Sequence, residues 1–331
     1  MEKAGRTVTK KVDEYLREKT ILISGGTGSF GHQMTEELLK LDVKEIRIFS
    51  RGEDLQHKMA MEYPDKRLNF IIGDIRDYQR VLESTRNVDI IFNAAALKQV
   101  PDCENHPLEA VKTNILGAYN VKEAAITNEI SKVITISTDK AVKPINAMGM
   151  TKALQEKIMT SSELDVCTTK FLVIRYGNVI GSRGSVIPFF KERIRKRLPI
   201  YVTDVRMTRF LLTLKDAAQL AFEALLEGKG KEIFILKRPA CFIKDLAETM
   251  ADGKVKVLKG KIRPGEKIHE TLVQEDEMRR AVENEDYYII HPYGTKGVPK
   301  LKMAVPEYTS ENAQRLNKDN IRTLLKKEGY L

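Results

Sequence analysis

Apolar runs bounded by small and polar residues recur along the first half of the chain, and helical patterns separate them. Residues 20–24, 45–50, 68–72, 89–92, 133–136 and 170–175 read as buried strands. Between them, residues 32–41, 107–128 and 147–160 carry helical periodicity. This alternation predicts an α/β fold built on a doubly wound parallel sheet. Beyond residue 180 the alternation fades. Short strands (200–203 and 232–236) there mix with helices (216–227 and 243–250), so a smaller C-terminal α/β substrate domain is expected. The expected division is an N-terminal extension over 1–18, a first domain over 19–180 with later returns from the C-terminal half, and a second domain over 181–331. The extension carries a short amphipathic pattern at 12–19, and a polar helix at 318–328 closes the chain as a packing or oligomer element.

The first strand runs into Gly25-Gly26-Thr27-Gly28-Ser29-Phe30-Gly31, a Gly-x-x-Gly-x-x-Gly set between a strand and a helix. Gly25 permits the tight turn, Gly28 lets the backbone approach a pyrophosphate, and Gly31 lets helix and strand pack closely. The helix N-terminus then faces the phosphates. Residues 19–180 are therefore expected to be a Rossmann-type NAD(P)-binding domain, with Thr27, Ser29 and Phe30 on the same turn. Ser50 and Arg51 end the second strand. An arginine there suits a 2′-phosphate and favours NADP, with NAD as the alternative because Glu53 and Asp54 stand nearby. Asp74, followed by Ile75, either bonds the adenine or caps the next helix. After the fourth strand, Ala94, Ala95 and Ala96 let a cofactor lie against the backbone, and Lys98 emerges beyond them.

The fifth strand ends in Ser137-Thr138-Asp139-Lys140, and a helix containing Met148 and Lys152 follows. Hydroxyl, carboxylate and amine thus gather at the carboxyl end of a central strand, where open parallel sheets bind their ligands. In an arbitrary sequence an adjacent Asp-Lys pair is a surface turn; its place at this strand end favours chemistry.

Composition narrows the classes. With 42% hydrophobic and 31% charged residues the chain reads as globular and water-soluble. No apolar run is long enough to span a bilayer, so no membrane partner is expected. The N-terminus lacks an apolar signal core, and Cys103, Cys167 and Cys241 have no metal-ligand spacing. A cytoplasmic protein with reduced thiols and no metal is expected. The net charge of +10 is spread among acidic residues without interleaved aromatics. That argues against nucleic acid and suits a substrate that carries a diphosphate.

These residues resemble an extended short-chain dehydrogenase/reductase of the nucleotide-sugar group, and more narrowly the UDP-N-acetylglucosamine 4,6-dehydratases of bacterial surface-sugar pathways. The likeness runs over residues 19–292. It rests on Ser24-Gly-Gly-Thr-Gly-Ser-Phe-Gly31, Gly73-Asp-Ile-Arg-Asp77, Ala94-Ala-Ala-Leu-Lys98, Ser137-Thr-Asp-Lys-Ala141 and Pro144-Ile-Asn146. It continues with Arg175-Tyr-Gly-Asn178, Gly181-Ser-Arg-Gly-Ser185, Met207-Thr-Arg-Phe210 and Arg263-Pro-Gly-Glu-Lys267. The resemblance implies oxidation at C4 of the hexose, loss of water across C5 and C6, and return of hydride to C6. The cofactor is then tightly held and regenerated each cycle. It implies Asp139 as the acid for the C6 hydroxyl and Lys140 as the C5 base, with Asp139 pushed up and Lys140 pushed down in pKa. Lys152 would bond the nicotinamide ribose. Asn178, Thr208, Arg209, Arg263 and Glu266 would hold UDP-N-acetylglucosamine, the arginines on diphosphate oxygens. Pairing through Rossmann helices is implied as well, so a homo-oligomer is expected.

One residue departs from the pattern. Four positions before Lys152 a short-chain dehydrogenase normally has tyrosine; here it is Met148. A thioether cannot take the proton of the C4 hydroxyl. Some dehydratases of this group are similar in carrying methionine here, so activity is still expected. Thr138 is then expected to bond O4, with Asp139 or Lys140 receiving its proton, while Met148 packs against the sugar. A UDP-sugar 4-epimerase needs no acid–base pair for C5 and C6, which argues against that alternative. No spacing reports the C5 configuration; retention is expected and inversion is the alternative. A catalytically dead nucleotide-sugar sensor would need none of Asp139, Lys140 and Lys152.

Overall fold

The computed structural model describes residues 10–161, 163, 167–261, 264–295 and 305–331. After a helix over residues 10–16 (α1) come β1 (Thr20–Ser24), α2 (Ser29–Leu38), β2 (Glu45–Ser50), α3 (Glu53–Glu62), β3 (Leu68–Ile72), α4 (Tyr78–Ser84) and β4 (Ile90–Asn93). Next are α5 (Val100–Asn105), α6 (Pro107–Ala110), a π-helical turn (Val111–Leu116), α7 (Gly117–Thr127), β5 (Lys132–Thr138), a 3-10 turn (Asp139–Ala141), α8 (Ala147–Met159) and β6 (Lys170–Tyr176). The later half adds β7 (Asn178–Val179), α9 (Val186–Arg195), β8 (Ile200–Val202), β9 (Thr208–Leu212), α10 (Leu214–Glu227), β10 (Ile233–Leu236), β11 (Ala240–Phe242), α11 (Ile243–Ala251) and β12 (Val257–Lys259). It ends with β13 (Thr271–Val273), α12 (Glu275–Met278), β14 (Ala281–Glu283), β15 (Tyr287–Ile290), β16 (Tyr308–Thr309) and α13 (Lys318–Lys327).

The main sheet has the order β14-β15-β10-β6-β5-β4-β1-β2-β3 and is parallel from β10 to β3. Alternate residues of each strand feed opposite layers, as a pleated strand requires. Ile21, Ile23, Ile46, Ile48, Leu172 and Ile174 pack with α1, α2 and α10. Leu22, Phe49, Ile91, Val133, Phe171 and Val173 pack with α4, α7 and α8. Because both faces are covered, the strands read as continuous apolar runs. A third core (Ile187, Phe190, Ile200, Val202, Leu246, Met250, Ile321, Leu325) belongs to the smaller C-terminal unit of α9, β8, α11 and α13. The strand order reverses between β1 and β4, which opens a crevice at their carboxyl ends.

Three elements differ from expectation. The N-terminal helix buries Val12 and Leu16 in the first layer rather than standing apart. The helix expected over 107–128 is interrupted by the π-helical turn. That turn aims the fully buried Asn114 inward, where its amide bonds Leu97 N (2.8 Å), Leu97 O (3.0 Å) and the Thr151 hydroxyl (3.0 Å). The third is the antiparallel β14–β15 hairpin, which extends the sheet beyond β10.

Candidate active site

The crevice starts at the glycine turn. Gly25 has φ +66°, and a Cβ there would stand 2.8 Å from Ala95 N and Cα. Only glycine lets the turn lie this close to the strand-end alanines. Gly28 starts α2 without a side-chain cap, so the helix N-terminus keeps its N–H donors for a ligand. Asn93 Nδ2 is buried without a partner at the end of β4, although Asn93 Oδ1 accepts from the Ser24 hydroxyl at 2.7 Å. An open helix start, a glycine cradle and an orphaned amide in one crevice fit a dinucleotide. Arg183 adds a residue that the sequence reading missed: it donates to Thr27 O through its guanidinium and to Ser29 Oγ through its backbone (3.1 Å).

Around the expected adenosine end, Asp74 accepts from Arg76 N (3.0 Å), Nε (2.9 Å) and Nη2 (2.6 Å), and Arg51 lies 3.9 Å away. Its arginine neighbours hold the carboxylate below the usual range against the opposing pull of burial. Asp77, not Asp74, caps α4 by accepting from Arg80 N. Ser50 Oγ accepts from Gln56 Nε2 at 3.0 Å, and Ile75 is buried against Gly117.

At the end of β5 the expected pair is a bonded unit. Asp139 is fully buried, and its Oδ1 accepts from Thr138 Oγ1 (2.9 Å) and Lys140 Nζ (3.0 Å). Its Oδ2 is buried with no partner. Lys140 Nζ also lies 3.4 Å from Glu270 Oε1. The Lys140 pKa therefore departs from expectation: burial lowers it, but the Asp139 and Glu270 carboxylates outweigh burial and raise it above the ordinary lysine value. Glycine at 149 lets α8 meet this turn, because a Cβ would stand 2.3 Å from Lys140 O. Asn146 caps α8 by accepting from Gly149 N (2.8 Å) and donates to Gly265 O (2.9 Å). Lys152, one turn on, is buried and donates to Ile136 O (2.7 Å) and Gln155 Oε1 (2.8 Å). Burial pushes its pKa down to about 8, with Glu156 pulling back. Met148 is 3% exposed and packs with Cys103, Ala110, Leu97, Val100 and Ala147.

The expected substrate residues scatter in role. Asn178 Oδ1 is a buried acceptor without a partner, and Lys98 is exposed beyond the alanines. Thr208 spends its hydroxyl on His269 Nδ1 (2.8 Å) and Ser310 Oγ (2.7 Å). Arg209 spends its fork on the carbonyls of Thr208 (2.7 Å), Ile268 (3.0 Å) and Lys267 (2.8 Å). Glu266 is half-buried in the loop before Lys267, and Arg263 lies outside the described residues. The sequence reading missed Glu270, which is 2% exposed between Lys140, Arg209 (3.6 Å) and Lys267 (4.0 Å). No spacing signals it, since 130 positions separate it from Lys140.

Comparison with known proteins places this geometry. A family model described as "Polysaccharide biosynthesis protein" matches residues 21–292. A Methanocaldococcus jannaschii protein described as an uncharacterized membrane protein is 42% identical, over 97% of this chain and 99% of its own. Among the described residues here, no helix is long and apolar enough to cross a membrane. A Rickettsia akari protein named UDP-glucose 4-epimerase is 43% identical, over 95% of this chain and 97% of its own. The X-ray structure of Pen from Bacillus thuringiensis superposes with a TM-score of 0.90 at 39% identity, covering 96% of this chain and all (100%) of that one.

Proposed function

Because the chain belongs to the polysaccharide biosynthesis protein family, we propose that it is a nucleotide-sugar 4,6-dehydratase. On this reading it takes UDP-N-acetylglucosamine and yields a UDP-4-keto-6-deoxy-N-acetylhexosamine with C5 retained. The observation that carries the reading is the bonded pair of buried Asp139 and half-buried Lys140 beside Thr138. A reaction confined to C4 has no use for two proton-transfer groups held side by side in the crevice.

A nicotinamide dinucleotide, NADP by preference, supplies the hydride acceptor and donor when bound. Gly25, Thr27, Gly28, Ser29, Phe30, Gly31, Ser50, Arg51, Asp74, Ile75 and the alanines 94–96 would hold it, with Lys152 at its ribose. Thr138 Oγ1 bonds O4 and relays its proton to Asp139 Oδ1 along the existing 2.9 Å contact. Asp139 passes that proton to the departing C6 hydroxyl. Lys140, once it has lost a proton to water, takes the C5 proton and later delivers one of its exchangeable protons back to C5. Two protons leave the sugar and two return, one of them in water. With Thr138 and Asp139 filling this role, Met148 need not titrate. Asn178, Lys98 and Arg263 are left to meet the nucleotide and diphosphate. A homo-oligomer paired through α7 and α8 belongs to the same proposal: Tyr119, Met150 and Leu154 are 44, 54 and 48% exposed on those helices.

The names of the Rickettsia relatives favour a second reading, a UDP-sugar 4-epimerase. Incubation with UDP-N-acetylglucosamine in deuterated water, followed by proton NMR, separates the two. A 4-keto-6-deoxy product carrying one C5 deuteron is expected. A C4 epimer that keeps its C5 proton would establish the epimerase instead.

A further inference from the structure

We propose that Glu270 is a positioning residue for Lys140: together with Asp139 it fixes the ammonium that must become the C5 base. This rests on the reading of Asp139 and Lys140 as the catalytic pair.

Glu270 directly precedes β13, and its backbone is clamped from both sides. Its N–H donates to Ser310 Oγ (2.9 Å), and its carbonyl accepts from Ser310 N (2.8 Å). The carboxylate is thereby fixed in a pocket of cations. Lys140 reaches it from the turn after β5 (3.4 Å), Arg209 from β9 (3.6 Å), and Lys267 from its own segment (4.0 Å). Asp139 accepts from the same Lys140 ammonium at 3.0 Å, and the neighbouring His269 faces Thr208 and Glu311 instead. One ammonium proton of Lys140 thus goes to Asp139 in a hydrogen bond, and Glu270 holds the ammonium at ion-pair distance, 3.4 Å.

Glu270 Oε2 is buried without a hydrogen-bond partner. A purely structural carboxylate at this depth would have its oxygens filled, because a bare buried acceptor is costly. Flanking charges also make base function conditional. While Asp139 and Glu270 are both charged, Lys140 keeps its proton. Once Asp139 has received the O4 proton, one of those charges is gone. With one carboxylate charge fewer beside it, the Lys140 ammonium gives up a proton to water more readily, and the neutral amine takes the C5 proton. After C5 is reprotonated from Lys140, the amine takes a proton back from water. No proton is lost or gained over the cycle.

Acylation of Lys140 across a pH series, read by mass spectrometry, needs no substrate and so separates this inference from the dehydratase reading. In the wild type the labelling midpoint is expected above the ordinary lysine value of about 10.4. In Glu270→Gln it falls by about one unit or more, since a neighbouring negative charge has gone. Glu270→Asp restores it. C5 deuterium incorporation supplies the second readout. Glu270→Gln leaves the amine without its second anchor, so incorporation drops at least tenfold, and Glu270→Asp recovers it. An unchanged labelling midpoint, or unchanged incorporation, overturns the proposal. If Glu270→Gln does not fold, a wild-type midpoint at or below the ordinary value overturns it alone.

Discussion

Two buried charge clusters flank strands β5 and β6, and they are built to opposite specifications. The first centres on Arg175. Its Nε and Nη2 bond Glu156 (3.0 and 2.5 Å), its Nη1 and Nη2 bond Glu277 (2.8 and 2.9 Å), and Nη1 also bonds Leu272 O (2.8 Å). Ser137 donates to Glu156 Oε1 at 2.5 Å. Every carboxylate oxygen there has a donor. The second cluster, Asp139–Lys140–Glu270, begins two residues further on and leaves Asp139 Oδ2 and Glu270 Oε2 bare. Adjacent residues of a strand point to opposite faces, so Ser137 feeds the closed cluster and Thr138 the open one. A saturated network rigidifies, whereas an unsaturated one spends stability on groups held ready for a ligand.

The largest effect should come from breaking the closed cluster. Arg175→Met leaves Glu156 and Glu277 buried without their cation and should cost about 3–5 kcal/mol of unfolding free energy in urea. A loss below about 1 kcal/mol would mean that the two clusters do not differ in kind. The open cluster should respond the other way. Asp139→Asn should lower turnover by about 10²–10⁴-fold while the urea midpoint stays level or rises. A matching drop in stability would erase the distinction.

A subtler contrast is pH. Lys152, bonded to Ile136 O of β5, has a pKa of about 8, whereas an unfolded lysine keeps its proton to about 10.4. Between those values the unfolded chain binds more protons, so the stability of the substrate-free protein should rise with pH. Activity that needs the Lys152 charge should instead decline above pH 8, and Lys152→Arg should abolish that decline. Stability and activity that fall together above pH 8 would count against Lys152 as the titrating group.

The sequence carried six of the seven parallel strands as long apolar runs because doubly covered strands leave them, and it carried Asp139, Lys140 and Lys152 because they follow one strand. It could not carry Glu270, whose meaning comes from cations contributed by β9, its own loop and the turn after β5. The same gap explains the reversed expectation for Lys140: burial is legible in an apolar context, but a second carboxylate folded in from 130 positions away is not. The π-helical turn escaped as well, since only its tertiary partners Leu97 and Thr151 show why Asn114 must turn inward.

The closed cluster also sets a clock on synthesis. Arg175 is made 102 residues before Glu277, the second carboxylate that neutralises it. At ordinary translation speeds that interval is roughly 5 to 20 s. During it the edge of β6 waits for β10, which begins at Ile233. A nascent chain halted between those points carries an unfinished sheet edge and a half-paired arginine at its centre. It should therefore depend on chaperones that the finished protein does not need.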